Sequence, residues 1–321
     1  SDLHFVEGLY EIAMPVIMGH EAAGTVEAVG ELVDYVAPGD RVICCLSVFC
    51  GHCERCITGR PVLCPRTGLS RGPAEIPRLS QRGELVTQFA NLSSFAEQML
   101  VHENTLVKIE QDIPFEQMAL IGCGAMTGLG AALNTAAVAP GSTVAVIGCG
   151  GVGLNAIQGA ALAGALRVIA IDAVETKLSL ATEFGATDVI DASGGNVVSK
   201  VRDLTGGGVD YSFEAIGKKE TAEQSFDMLR AGGTATIIGM IPQGTKIEID
   251  GPSFLREKRI QGSSMGSNHF RVDMPRYVDF YLQGRLKLDE LVSRRLKLED
   301  INDAFGYMKE GSVARSVITF P

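Results

Sequence analysis

The run Thr143-Val144-Ala145-Val146-Ile147-Gly148-Cys149-Gly150-Gly151-Val152-Gly153 decides the fold of the second half of the chain. Its first five residues read as a buried strand, and the glycines that follow force a tight turn before an Ala-rich, helix-like segment from Leu154 to Ala163. A second apolar run, Arg167 to Ile171, closes on Asp172. Strand, glycine turn, helix, strand and terminal acid in this order make the dinucleotide fingerprint. The glycines let the backbone approach a pyrophosphate, the helix N-terminus attracts it, and the acid takes the adenosine ribose hydroxyls. Gly148, Gly150, Gly151, Gly153 and Asp172 are therefore candidate cofactor-binding residues.

Outward from this motif the alternation continues. Thr176 to Phe184 and Ala222 to Leu229 read as helices, and Asp188 to Ile190, Val209 to Glu214 and Thr234 to Ile238 as strands. Strands alternating with helices imply βαβ units, hence an α/β fold with a doubly wound parallel Rossmann domain over residues 125–265. Before it, short strand-like runs such as Gly24 to Val29 and Arg41 to Ile43, separated by Gly, Pro and Asp, predict a mostly β domain over residues 1–124. Residues 266–321, with a helix over Met274 to Leu282 and a strand over Ser316 to Phe320, do not extend the Rossmann sheet and are expected to return to the first domain.

With 46% apolar and 21% charged residues, the chain has the composition of a compact soluble protein. A net charge of −10 argues against a nucleic-acid partner, because phosphate binding needs clustered Lys and Arg. The stretch from Thr143 to Leu166 is long enough to cross a bilayer, but its glycines, Asn155 and Gln158 argue against a membrane span. No basic segment followed by an apolar core opens the chain, so the chain as given holds no secretory signal, and its abrupt start leaves a lost leader open. Of eight cysteines, four crowd into residues 50–64, which favours a metal in a reducing compartment and predicts a cytoplasmic protein.

Those four stand as Cys50-x2-Cys53-x2-Cys56-x7-Cys64. Four thiolates at this spacing can wrap one tetrahedral zinc with no open position, and an iron–sulfur cluster is the rival reading. His52, inside the knuckle, reads as a solvated loop residue. A further set is scattered: Gly19-His20-Glu21, Cys123 within Ile121-Gly122-Cys123-Gly124, and Ser1-Asp2-Leu3-His4. Each alone is weak evidence for a site, and they gain weight together.

Taken with the order in which they occur, these motifs resemble the zinc-dependent medium-chain dehydrogenases, the family of liver alcohol dehydrogenase and glutathione-dependent formaldehyde dehydrogenase, over essentially the whole chain. The resemblance implies a GroES-like catalytic domain before the Rossmann domain, a structural zinc in the four-cysteine lobe, and a catalytic zinc on His20 and Cys123 with Glu21 behind it. Asp2 would support the ring of His20. The family's Cys-His-Ser-Asp motif puts its remaining zinc ligand, a Cys, two positions before Ser1, so the natural protein is expected to be longer by a few dozen residues. One His and two Cys with an open fourth position is the known ligand set of the alcohol dehydrogenase zinc.

By the same resemblance Thr127 and Val152 line the nicotinamide pocket, and Ile216, Gly217, Ile238 and Met240 follow the cofactor. Lys177 touches its ribose and Arg315 its pyrophosphate. Asp172 repels a 2′-phosphate and Ala173 offers nothing to hold one, so NAD is the expected cofactor. The implied reaction is oxidation of a primary or aromatic alcohol, with Ser1 accepting the hydroxyl proton, His4 receiving it through the cofactor ribose, and hydride passing to the nicotinamide. Leu46, Leu69 and Ser1 suit an apolar alcohol. The positions that bind glutathione in the thiol-dependent formaldehyde enzymes fall on Tyr10 and Gly68, which counts against that alternative. A non-catalytic zinc and dinucleotide binding relative is the reading from another class, and the zinc-free quinone reductases would need neither the lobe nor Gly-His-Glu. The long segment from Pro65 to Leu92 resembles the insertion that accompanies dimers in the liver-type enzymes, which predicts a homodimer.

Overall fold

The computed structural model describes residues 1–65, 69, 75–310 and 314–320. The chain divides into two compact units, one made of Ser1–Gly124 with Asn268–Pro321 and the other of Ala125–Ser267.

The first unit is built from small sheets. Its strands are β1 (Val16–Ile17), β2 (Ala22–Thr25), β3 (Arg41–Cys44), β4 (Leu79–Gln81), β5 (Glu84–Gln88) and β6 (Leu106–Lys108). β2, β3 and β6 pair antiparallel, and Val36, Val42, Cys44, Leu92 and Leu106 form the buried cluster beside them. The strand expected over Gly24 to Val29 stops at Thr25. Beyond it Val26 still exchanges backbone hydrogen bonds with the segment that enters β3, its N–H donating to the Asp40 carbonyl at 2.9 Å and its carbonyl accepting the Gly39 N–H at 2.8 Å, and the regular ladder ends where Gly39 takes a positive φ. β4 and β5 form a hairpin around Arg82 and Gly83, both at positive φ, the turn whose twist matches paired strands.

The second unit holds a six-stranded, all-parallel sheet of β7 (Thr143–Ile147), β8 (Arg167–Asp172), β9 (Asp188–Asp191), β10 (Val209–Glu214), β11 (Leu229–Ile237) and β12 (Arg259–Gly262). Their order is β12-β11-β10-β7-β8-β9, the Rossmann arrangement, in which the chain departs to opposite sides from the pair β7 and β10. Ile147, Ile169, Ile171, Val209, Phe226 and Ala235 lie in its core. The helix expected over Ala222 to Leu229 runs instead over Lys219–Asp227, because Leu229 already pairs with Val209 and opens β11. A helix at Val197–Thr205 had no counterpart in the pattern reading. It buries Val197 and Val201 in the same core.

A helical run from Phe115 to Thr135 is, among the described residues, the one helix long and apolar enough to cross a bilayer, and it is mostly buried within the protein. The stretch from Thr143 to Leu166 is a strand, a glycine turn and the helix Gly151–Leu162. That helix and the later half of the run approach closely at two glycines. A Cβ on Gly128 would overlap the Val152 carbonyl, and one on Gly159 would come 2.9 Å from the Ala132 methyl. After the second unit, the helix Phe270–Leu282 buries Phe270, Met274, Tyr277 and Val278 on one face, and β13 (Val292–Leu296) pairs in parallel with β14 (Arg315–Ile318).

Gly128 and Gly150 make a controlled pair for testing this packing. Gly128→Ala forces backbone apart and is expected to cost about 1–3 kcal/mol. A Cβ on Gly150 meets nothing within 4 Å, so Gly150→Ala is expected to change stability by no more than about 0.5 kcal/mol. Urea unfolding midpoints of the two variants check the contrast.

Candidate functional site

The lobe assembles from local turns. Gly51 at φ +81 reverses the chain after Cys50, Cys53 precedes the one-turn helix Glu54–Ile57 that carries Cys56, and Pro61 starts the turn that delivers Cys64. The sulfurs of Cys53 and Cys56 lie 3.5 Å apart, and Cys50 to Cys56 and Cys53 to Cys64 are each 3.9 Å. Four sulfurs at tetrahedral corners about 2.3 Å from one zinc stand about 3.8 Å from each other, so the cage has the size that zinc requires. Disulfides are absent among these cysteines. The His52 and Cys53 backbone N–H groups point at Cys50 and pull its thiol down to about 6, whereas burial and the neighbouring sulfurs push Cys56 up to about 12. Four crowded sulfurs ionise together only around a cation. His52 stays outside the cage, exposed, with Nδ1 2.9 Å from the Cys50 carbonyl.

The second cluster draws on distant parts of the first unit. His20, Glu21 and Cys123 bring their ligand atoms within 4.8 Å of one another, His20 and Cys123 being buried and Glu21 half-buried. Cys123 sits in a π-turn, Ile121–Ala125, a helix irregularity that often marks functional positions. A Cβ on Gly122 would come 2.8 Å from the Cys44 carbonyl, so the helix lies directly on β3 at this point. Asp2 reaches in from the helix Asp2–Val6, with Oδ2 2.6 Å from His20 Nδ1 and Oδ1 accepting the Gly19 N–H at 2.9 Å. That contact takes one ring nitrogen and leaves the other for a metal. Burial pushes the His20 pKa down, but the charge on the Cys123 sulfur and the Asp2 carboxylate outweigh it and hold it at about 10. A field that retains a proton on a buried imidazole equally favours a divalent cation there, and a nitrogen, a thiolate and a carboxylate suit zinc.

Arg315 lies beside Glu21, with guanidinium and carboxylate 3.6 Å apart, and covers Gly124 so closely that no side chain fits there. Ser1 is exposed, and His4 follows on the same turn, its ring edge-on to Tyr10 at 6.3 Å. Burial lowers the His4 pKa. Leu46 packs on the core beside β3, and Leu69 is half-buried. Gly68 lies outside the described residues.

In the second unit the glycine turn divides its work. Gly148 has φ +96, and a Cβ on Gly153 would overlap the Gly148 carbonyl, so both are fixed by the chain itself. Gly150, unlike these two, faces open space, at the head of the helix Gly151–Leu162, where a pyrophosphate could approach bare backbone. Asp172 closes β8 and accepts the Cys149 N–H at 2.8 Å and the Val174 N–H at 3.1 Å, which ties the acid to the turn. Lys177 is half-buried one helix turn further on, and Thr127 is buried within the same unit. After β10, Ile216 lies against Gly148, and Gly217 meets the Met240 backbone that follows Ile238. Pattern reading missed Glu214, the last residue of β10. It is fully buried and binds the turn that holds Ile216 and Gly217, and its signal was no more than an acid at the end of a strand.

Comparison with known proteins settles the family. The alcohol dehydrogenase GroES-like domain matches residues 1–111, and the zinc-binding dehydrogenase domain matches residues 151–283. A probable S-(hydroxymethyl)glutathione dehydrogenase of Schizosaccharomyces pombe is 39% identical over 314 residues, covering 96% of this chain and 83% of the relative. This chain belongs to the zinc-dependent alcohol dehydrogenase family. Among solved structures of these zinc-dependent dehydrogenases, benzyl alcohol dehydrogenase from Acinetobacter calcoaceticus is 33% identical with a TM-score of 0.92, covering 100% of this chain and 88% of that one. A zinc-binding dehydrogenase from Sinorhizobium meliloti, bound to NADP, is 33% identical with a TM-score of 0.78, covering 95% of this chain and 83% of that one. As a zinc-dependent oxidoreductase, this chain combines the Rossmann sheet with the GroES-like domain that its family requires.

Cys53→Ser opens the lobe without touching His20 or Cys123. It is expected to lose one zinc per chain together with several degrees of melting temperature, which metal analysis and thermal unfolding read side by side.

Proposed function

We propose that this dehydrogenase interconverts a primary or aromatic alcohol and its aldehyde with NAD as hydride acceptor, and that the observation carrying this reading is the buried Asp2–His20–Cys123 cluster. A zinc bound there supplies polarisation of the alcohol or carbonyl oxygen. His20 and Cys123 hold it, Glu21 stands within reach as a further oxygen donor, and Asp2 fixes the imidazole ring. Ser1 receives the hydroxyl proton and His4 accepts it in turn, since a His whose pKa is lowered by burial is neutral at pH 7. The closed Cys50, Cys53, Cys56, Cys64 cage leaves no open position, so its zinc acts on structure alone.

NAD is favoured over NADP by Asp172. Its carboxylate is anchored by two backbone N–H groups and cannot swing away from a 2′-phosphate, and no Lys or Arg stands at position 173. Bare Gly150 receives the pyrophosphate, Lys177 and the Ile216–Gly217 and Ile238–Met240 turns flank the cofactor, and Thr127 and Val152 line the nicotinamide. We further propose a homodimer, on the resemblance of Pro65 to Leu92, part of which lies outside the described residues, to the insertion of dimeric relatives, and a cytoplasmic location, on the clustering of four cysteines in residues 50–64.

A second reading, thiol-dependent formaldehyde oxidation, is favoured by the S. pombe relative's name. Tyr10 offers glutathione no carboxylate at the rim, which leaves the aromatic alcohol reading ahead. Steady-state turnover of benzyl alcohol, and of formaldehyde with and without glutathione, separates the two. Aromatic alcohol turnover with no response of formaldehyde to thiol supports the first, and a thiol-dependent formaldehyde rate exceeding it supports the second.

Cofactor preference is expected to be a hundredfold or more for NAD, equivalent to about 2.7 kcal/mol. Asp172→Ser is expected to shrink that ratio at least tenfold, measured as kcat/KM for both cofactors. Equal values in the unmutated enzyme would remove Asp172 from the account.

A further inference from the structure

Among the described residues the most deeply buried acid is Glu214. Its side chain is fully buried at the end of β10, where it pairs with Ile147 of β7 on one side and Ile237 of β11 on the other. Oε1 accepts three hydrogen bonds, from the Ile216 N–H at 2.9 Å, the Gly217 N–H at 2.7 Å and the Thr221 hydroxyl at 2.8 Å. Oε2 has no hydrogen-bond partner among the described residues and lies 2.5 Å from where a Cβ of Gly239 would stand. Leaving an acceptor unpaired in the interior costs about 1–3 kcal/mol, so the residue is a poor choice for stability alone.

What the carboxyl group holds is specific. The Glu214 carbonyl accepts from both the Ile238 and Gly239 N–H groups, at 2.8 and 3.0 Å, while its side chain holds Ile216 and Gly217. One residue therefore pins the turns that follow β10 and β11. Gly217, at φ +90, presses on the Met240 backbone, its would-be Cβ 2.6 Å from that carbonyl, so the two turns interlock without side chains. Ile216, thus fixed, rests its side chain on Gly148, 2.6 Å from that glycine's would-be Cβ. A continuous chain of contacts runs from Glu214 to the first glycine of the fingerprint.

We infer that Glu214 is a positioning residue for the dinucleotide: it does not touch the cofactor, and by fixing the Ile216–Gly217 and Ile238–Met240 turns it sets the shape of the surface that the cofactor's middle and nicotinamide end lie on. The inference rests on the proposed dinucleotide function of these turns. It predicts a graded, end-specific effect. Asp172 and the adenosine ribose that it would bind lie at the end of β8, two strands from Glu214 in the sheet. AMP affinity is therefore independent of Glu214, and NADH affinity is not.

The test measures dissociation constants for NADH and AMP by calorimetry on the zinc-loaded enzyme, with kcat and KM beside them. Glu214→Ala, which leaves three donors unpaired, is expected to weaken NADH at least tenfold. Glu214→Gln, which keeps an accepting oxygen, restores most of the affinity. Thr221→Val, which removes one of the three bonds from a half-buried position and leaves the fold intact, weakens NADH two- to threefold. In all three AMP binding and zinc content are unchanged, and KM for NAD rises more than kcat falls. Unchanged NADH affinity in folded Glu214→Gln and Thr221→Val, with only the melting temperature lowered, would show a purely structural role and overturn the inference. Equal weakening of AMP and NADH would overturn it as well. An unmutated enzyme that bound neither ligand would instead bring down the dinucleotide reading itself, which separates the two failures.

Discussion

Everything in the second unit depends on the reversal of the chain between β7 and the helix Gly151–Leu162. The strand must end, turn and re-enter as a helix so tightly that the Gly153 Cα lies against the Gly148 carbonyl, a contact that any side chain would break. Because the turn closes on itself through Gly148 and Gly153, Gly150 between them is free to present bare backbone. Asp172 then reads as part of the turn, since the Cys149 N–H donates to its carboxylate. The acid that would choose the cofactor and the loop that would receive its phosphates are thus one hydrogen-bonded object.

The first unit meets a different constraint. His20 is buried between the Cys123 sulfur and Asp2, and such a cluster is stable only with a positive charge at its centre. Without metal a proton meets that need, and zinc must displace it. Zinc affinity should therefore fall as pH drops, because protons compete for the imidazole and the thiolates. The lobe shares the competition but differs in construction. Its four sulfurs come from one short segment, where backbone N–H groups and a single helical turn set the geometry.

The sequence made the Rossmann sheet legible because Thr143–Ile147 is an apolar run and Val209–Glu214 alternates apolar with polar residues, each bounded by turn residues, and their observed bounds match that pattern. It hid the helix Val197–Thr205, whose three valines favour strand, and which is held by the burial of Val197 and Val201 rather than by propensity. The hairpin at β4 and β5 was equally hidden, because its strands are largely polar and its turn places Arg82, not Asn or Asp, at positive φ. Among the metal clusters, the lobe could be read from spacing. The approach of His20 to Cys123 could be anticipated only through family resemblance, since nothing local joins residues so far apart in the chain. Glu214 escaped because one acid at a strand end looks like any solvent-facing terminus until its burial is known.

The strand order has a consequence for how the protein is made. β7 sits beside β10, so the crevice at the head of the glycine turn has only one wall until a strand more than sixty residues downstream has been synthesised and docked. Parallel neighbours of this kind close late, after the local contacts of each βα unit have formed. The lobe is the opposite case, with all its ligands in hand as soon as residue 64 leaves the ribosome. Zinc can enter the lobe of a nascent chain, whereas a dinucleotide engages only the completed sheet. Since a ligand that binds the native state alone stabilises it by mass action, cellular cofactor concentration would act as a selective brake on unfolding of the second unit.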